Sequence, residues 1–461
     1  MKTFFLALGV ASGALLAAAD APTAAWQPEL NVRLRVESRE QTFTFNSATS
    51  SPTDDTWLLT RARLGLKGTL TSALSLYVQG QDSRELSSDR PRVPYILGSE
   101  GDDPFDLRQF YVDVKTADCT VRLGRQALAF GDERLVGPLD WNNLARSFDA
   151  ARLTCPTIGG GLDVFVASVV QVQPTATTGW HANHSSTDDL FAGVYSRFLA
   201  SDTLKVEPYV LWRQKTVDTL YSVAGVGTAR PYDVPQKIGT LGLRWIGGPP
   251  EKLDSFDYDG EFAWQLGLVR GRQPAGGAFA FPGPGWLDHR AWALHMGLGY
   301  TTKALGWPLR FYGEFNHATG DKNPADASDQ SFLNLFPTNH KFYGGMDAFA
   351  WKNMSEFAFT AAATFTKQTK LRFEHHFFAL AETNDTWFRA NGVTAVRPLT
   401  PGAVLASRTA GEETDVVLSH ALNPHVALDF GWSYFAAGRY LAQTGGGSDA
   451  AFAYVQSVLQ W

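Results

Sequence analysis

The chain has 461 residues and a formal charge of −6. That acidity is mild and no block of like charge stands out, so nothing marks a nucleic-acid partner. High glycine (43) and aromatic content (13%) beside 4 Met and 2 Cys disfavour a helical bundle and point to β-structure rich in turns. A soluble chain of this length would usually split into domains, yet no shift of composition marks a boundary.

The first element is a leader. Lys2 precedes an apolar run from Phe4 to Ala18, and Ala19-Asp20-Ala21 follows as a small-x-small cleavage pattern. Residues 1–21 are expected to be a secretory signal, leaving 22–461 as one domain. The run falls short of the ~20 apolar residues that a membrane helix needs, and no later segment approaches that length.

Beyond the leader, apolar residues recur with a period of two. Leu30, Val32, Leu34 and Val36 alternate with Asn31, Arg33, Arg35 and Glu37. Leu58, Thr60, Ala62, Leu64 and Leu66 alternate with Arg61, Arg63, Gly65 and Lys67, and Phe262–Leu268 and Trp292–Tyr300 repeat the pattern. Each is a strand with one apolar face. About eighteen are expected, beginning at Pro28, Thr56, Ala73, Asp106, Cys119, Arg146, Gly161, Asp189, Thr203, Gln236, Asp257, Arg290, Trp307, Met354, Thr369, Gly411, His425 and Ala450.

A soluble β-sandwich also alternates. Three features favour an all-β transmembrane antiparallel barrel instead. Most strands are long enough to cross a bilayer at a tilt. Tight turns (Thr71-Ser72, Ser201-Asp202, Lys367-Gln368, Leu422-Asn423-Pro424) alternate with long polar links (Arg84–Phe105, Val217–Pro235, Asp321–Asn353, Thr383–Ala410), the asymmetry of short periplasmic turns and long extracellular loops. The chain ends on a strand closing at Trp461, in the manner of the signal read by the outer-membrane insertion machinery. Trp26, Trp57, Trp212, Trp245 and Trp461 lie near strand ends, where an interfacial girdle would place them. Such a protein is expected in the outer membrane of a Gram-negative cell, against lipid and lipopolysaccharide.

A barrel of about eighteen strands is too wide for its own side chains to fill, so function depends on what narrows it. Charge is densest from Phe105 to Leu153. Arg122, Arg125, Arg134, Arg146 and Arg152 fall there among Asp132, Glu133, Asp140 and Asp149, with Arg108 just before them. These charges are costly against lipid and so belong to the lumen or a loop. Strict alternation, however, puts Arg125 on the face of Val121 and Leu123. One reading is a constriction that binds an anionic solute through planar guanidinium groups. The other is an ion-pair network that holds a folded-in loop. Inward-reading charges are basic early (Arg33, Arg35, Arg61, Arg63, Lys67, Arg122) and mixed or acidic later (Glu261, Glu314, Glu356, Glu374, Glu413, Asp415, Asp429), which gives a polarised lumen and not a uniformly positive one.

Several segments together resemble the alginate-export family of outer-membrane proteins: Arg108–Val114, Gly124-Arg125-Gln126, Gly131–Gly137, Asp140–Asn143 and Phe148–Leu153, then Gly313–Lys322, Leu335–Thr338 with His340, Tyr343–Asp347, Gly411–Asp415 and Trp432–Gly438. The resemblance covers most of the mature chain. It implies an 18-stranded barrel whose electropositive lumen passes a polyuronate outward. By motif match it makes Arg125 a pore arginine, and extends the role to Arg108, Arg146 and Arg152.

The remaining constellations are sparser. Asp321, Asp326 and Asp329 lie in an expected external loop, where carboxylates hold Ca²⁺ or stand solvated; the solvated reading is preferred. His375 and His376 are adjacent on a strand and point to opposite faces, which argues against a shared metal. Neither G-x-S-x-G nor H-E-x-x-H occurs. Cys119 opens one expected strand and Cys155 closes the next, which places both at the periplasmic rim of neighbouring strands and allows a disulfide in that oxidising compartment.

The reading is therefore a channel for anionic polysaccharide or uronate oligomers, with Arg61, Arg63, Arg108, Arg122, Arg125, Arg134, Arg146, Arg152, Glu133 and Asp140 as candidate pore residues. No cofactor or catalytic residue is expected, and periplasmic export proteins are candidate partners. An uptake porin for small acids or oligosaccharides is the alternative. A barrel phospholipase or protease, or a soluble glycan-binding sandwich, has less in its favour.

Overall fold

The computed structural model describes residues 25–43, 45–46, 53–90, 102–157, 160–172, 182–217, 221–223, 227–229, 234–250, 252–271, 285–304, 306–397 and 406–461. The expected leader, residues 1–21, lies outside them.

Eighteen antiparallel strands close into one barrel. In chain order they are β1 (Ala25–Glu40), β2 (Asp55–Thr69), β3 (Leu74–Leu86), β4 (Asp103–Lys115), β5 (Thr120–Gln126), β6 (Phe148–Cys155), β7 (Leu162–Gln171), β8 (His184–Ser196), β9 (Leu204–Lys215), β10 (Gln236–Gly247), β11 (Ser255–Arg270), β12 (Trp286–Ala304), β13 (Trp307–Ala318), β14 (Met354–Thr364), β15 (Thr369–Ala379), β16 (Thr409–Asn423), β17 (Val426–Ala437) and β18 (Ala450–Gln460). Each pairs with its chain neighbours, and β1 pairs with β18 in the register Val36↔Val455. Leu30 and Trp461 exchange both backbone hydrogen bonds at the seam, at 2.8 and 2.9 Å. Closure leaves no edge, so every spanning backbone group finds a partner where lipid offers none.

Alternation sorts the side chains as the sequence implied. Leu34, Val36, Leu64, Leu123, Val210, Phe262, Trp264 and Trp292 are exposed on the outer face, whereas Arg33, Arg35, Arg61, Arg63, Glu261, Glu356 and Asp415 are buried on the inner one. Trp26, Trp212 and Trp461 are exposed. Trp57 departs from the expected girdle. It shares the inward parity of Arg61 and Arg63 and is buried against Phe43, with the Arg90 guanidinium 4.0 Å above its ring.

The main departure from a simple wall is at β5 and β6, which are only 7 and 8 residues long. After Gln126 the inward positions turn from polar to apolar: Leu128 and Phe130, of the same parity as Gln126, are both buried, and residues 127–147 leave the wall for the lumen. A second segment, 319–353, enters from the opposite side, and the two meet through a backbone bridge between Val136 and Phe336. An apolar core therefore forms inside the barrel, where Phe148, Phe165 and Phe191 of the wall receive Leu135, Val136 and Phe336. Phe336 stands 5.3 Å from Phe148 and 5.0 Å from Phe191 between ring centres, edge-on to both. At the rim with the short turns, Cys119 and Cys155 form a disulfide.

Candidate functional site

Arg33, Arg35, Arg61, Arg63 and Arg108 form a wall on the inner face of β1, β2 and β4, and residues 138–147 lie against them, while Arg39, also inward on β1, reaches the Met346 carbonyl instead. The two R-x-R pairs face each other across the first hairpin, with Arg33 the register partner of Arg61. Arg33 and Arg61 each donate to the Asp140 carbonyl at 2.9 Å, and Arg35 donates to the Trp141 carbonyl at 2.9 Å. Arg108 donates to the Arg146 carbonyl at 2.7 Å and also bonds Ser147. Most of this capture is by backbone carbonyls, which occupy guanidinium N–H groups without cancelling their charge. The carboxylate that the segment supplies is Asp140, 2.9 Å from Arg63, 3.6 Å from Arg108 and 4.0 Å from Arg61. Arg35 also pairs with Glu37 at 2.7 Å.

The Asp140 side chain keeps 52% of its surface open, unlike the arginines around it. Burial raises its carboxyl pKa, but Arg63, Arg108 and Arg61 outweigh that and hold it at about 2. Its ion pairs therefore stabilise the folded-in segment above the unfolded carboxyl value near ~3.9 and are lost as pH falls through about 2. Protease resistance of residues 127–147 should differ between the parent and Asp140→Asn by a constant amount from pH 7 to pH 4. The difference should vanish near pH 2, and a difference already gone at pH 5 would contradict the assignment.

Asn143 locks the segment in place. It is fully buried; its amide donates to the carbonyls of Thr60 (3.0 Å) and Arg84 (3.1 Å), and its oxygen accepts from Arg33 at 3.1 Å. Trp141 is sandwiched between the Arg35 guanidinium, 3.8 Å away, and the His340 ring, 3.5 Å away and nearly parallel. His340 comes from the second inward segment, so this stack joins the two.

Not every expected pore residue belongs to this wall. Arg61, Arg63, Arg108 and Asp140 are brought together. Arg146 lies behind them and ties the two segments through the carbonyls of Gly137 and Pro337 at 3.0 and 2.9 Å. Arg134 is buried on the far side, bonded to Asn316 and Tyr343, while the neighbouring Glu133 carbonyl accepts from Thr338. Arg122 and Arg152 lie lower, paired with Asp113 and Asp163 at 2.7 Å. Arg125 remains on the outer face, as alternation requires, paired with Asp149 at 2.9 Å and near Asp106 at 3.8 Å. Arg125→Ala should therefore leave ion selectivity unchanged while loosening the rim between β4 and β6. A shift in the anion-to-cation ratio would overturn this placement.

The candidate cation ligands Asp321, Asp326 and Asp329 do not converge. Asp321 accepts from the Asn323 amide, Asp326 caps Ser328, and Asp329 faces His289 at 3.2 Å. Arg33, Arg35 and Asn143 were absent from the expected list. The arginines were readable as inward by alternation; the buried role of Asn143 has no local signature. Half-exposed cations near the short-turn ends, Lys205, Arg310 and Arg372 among them, form a second group.

The fold is shared widely. Acinetobacter baumannii OccAB1 aligns with a TM-score of 0.58 at 11% identity, over 94% of this chain and 96% of that one. Pseudomonas aeruginosa OpdL aligns with a TM-score of 0.56 at 15% identity, over 95% and 98%. No curated protein matches the chain. The sequence profile described as "Alginate export" matches residues 28–455, nearly the whole barrel together with both inward segments and the arginine wall. The chain belongs to the alginate-export family and is a β-barrel of the outer membrane.

Proposed function

We propose that this barrel is a channel for linear anionic polysaccharide of the polyuronate kind, or for its oligomers. The observation that carries this reading is the charge imbalance of the wall. Arg33, Arg61, Arg63 and Arg108 stand around the half-open Asp140, with Arg35 beside them paired to Glu37, and several of their hydrogen bonds go to uncharged carbonyls. A low-dielectric wall with excess positive charge raises the local concentration of anions. The inner face of β13, β14 and β16 carries Glu314, Glu356 and Asp415, so a polyanion would be drawn toward β1–β4.

Uptake of small acids or short oligosaccharides is the second reading. It is favoured by the two segments that pack into the lumen and narrow the passage. Lipid, lipopolysaccharide and periplasmic export proteins are the proposed partners.

Planar-bilayer conductance of the refolded protein decides between the readings. Anion-selective current blocked by oligouronates supports the polyuronate channel. Current indifferent to oligouronates but reduced by small carboxylic acids supports the second reading.

A further inference from the structure

The acidic side of the lumen holds a group that the channel reading does not use. On β15, Glu374 and His376 are two residues apart and share the inward face. Across the ladder, Glu374 is the register partner of Asp415 and His376 the partner of Glu413 on β16. One ligand atom each from Glu374, His376 and Asp415 falls within 4.8 Å of the others. His376, Glu413 and Asp415 are almost wholly buried, as is Glu356 of β14.

The hydrogen-bond pattern around His376 is informative. Its Nδ1 lies 2.7 Å from Glu356 Oε1. A carboxylate has no proton to give, so Nδ1 carries the hydrogen and donates it. In the neutral ring Nε2 then presents a lone pair. That atom stands 3.2 Å from Asp415 Oδ2, yet neither atom has a hydrogen-bond partner, and Glu413 Oε2 beside them also lacks one. A contact this close and out of hydrogen-bond alignment is held by a positive body between the two atoms, either a second proton on Nε2 or a metal ion. Two ligands each ~2.0 Å from a tetrahedral zinc ion are ~3.3 Å apart, which is the spacing found. The orientation of the imidazole by a carboxylate on its other nitrogen is the arrangement that supports a metal-bound histidine.

Charge favours the same conclusion. Glu356, Glu374, Glu413 and Asp415 bring four carboxylates around one imidazole. Arg372 neutralises Glu374 at 3.1 Å, and Glu356 is bonded by Asn316 at 2.7 Å. Backbone amides of Gly345 and Met346 reach Asp415 at 3.3 Å and Glu413 at 2.8 Å, but they add dipoles, not charge. Buried carboxylates in excess are costly, and a divalent ion offsets them.

We propose that Glu374, His376 and Asp415 form a binding site for a divalent first-row transition ion, zinc foremost. One imidazole with carboxylates suits zinc better than calcium, which takes oxygen ligands alone. Glu374 is the open member, with 21% of its side chain exposed, so the ion enters from the lumen and the remaining coordination position faces it. An ion here braces β15 to β16 beneath the 343–347 turn and removes negative charge from the acidic wall.

The test is zinc binding by the untagged, chelator-stripped, full-length barrel in detergent, read by calorimetry and by metal content after gel filtration. One equivalent per chain is expected. His376→Gln and Glu374→Gln should each reduce retention at least tenfold. Folding of each variant is checked by whether the barrel stays compact in cold SDS. Glu374, being part-exposed, gives the variant least able to disturb folding. Folded parent protein that retains no zinc above a detergent blank would overturn the proposal. So would folded Glu374→Gln and His376→Gln that retain as much zinc as the parent.

Discussion

Replacing Asn143 with alanine should release the folded-in segment and raise the single-channel conductance. The substitution takes the amide from two buried carbonyls, those of Thr60 and Arg84, and the acceptor from Arg33. The two carbonyls left without this partner cost ~1 kcal/mol or more each, and with the lost bond to Arg33, which keeps the Asp140 carbonyl, the total is about 3 kcal/mol. A shift of that size raises the population of the released state roughly 100-fold. The barrel itself should remain folded, because the ladder between β1 and β2 does not depend on this side chain. The expected record is a larger mean current broken by slow steps, together with new proteolytic cleavage at Arg134 or Arg146. A trace indistinguishable from the parent would show that the segment is held by its apolar contacts, Phe336 above all, and that the Asn143 lock is redundant.

The double substitution Arg63→Gln with Arg108→Gln should lower the anion-to-cation permeability ratio. These are two of the three arginines around the Asp140 carboxylate. A unit charge ~6 Å from the permeating ion contributes ~1–3 kcal/mol at effective dielectrics between ~80 and ~20. Screening over a Debye length of ~8 Å trims this in physiological salt. A fall of roughly three- to tenfold is therefore expected, larger in dilute salt than in concentrated salt. Reversal potentials across a salt gradient measure it. An unchanged ratio at both salt concentrations would mean that ions pass along the acidic side and do not sense β1–β4.

Much of the fold could be read from the chain, because a period of two is local. All eighteen strands appear where the alternation put them, and Arg33, Arg35, Arg61, Arg63, Glu261, Glu356 and Asp415 face inward as their parity required. Parity also located Arg125 better than the motif did. The motif made it a pore residue, whereas its place on the face of Val121 and Leu123 kept it on the outer surface. What local pattern could not supply was the path of segments that leave the wall. Residues 127–147 turn inward because Leu128, Phe130, Leu135 and Val136 find partners on β6 to β8 and in the 319–353 segment, contacts more than a hundred residues away in part. The same limit hid the Glu374–His376–Asp415 group. The chain shows that Glu374 and His376 share a face and that His375 does not, but only the β15–β16 register brings in Asp415.

The short β5 and β6 have a consequence for the membrane itself. Seven residues at ~3.4 Å each, tilted near 40°, rise only ~18 Å, against the ~25 Å apolar band of an ordinary barrel wall. Above them, Asp103 and Asn183 close the notch with hydrogen bonds of 2.9 and 3.0 Å, and the Arg125–Asp149 pair faces outward at its upper edge. Acyl chains cannot solvate that pair, so the outer leaflet must dip to bring headgroups and water down to it. The bilayer around this protein is then an uneven collar, thin on the side of the notch, and hydrophobic mismatch would orient the barrel toward neighbours or lipids that share the same thin patch.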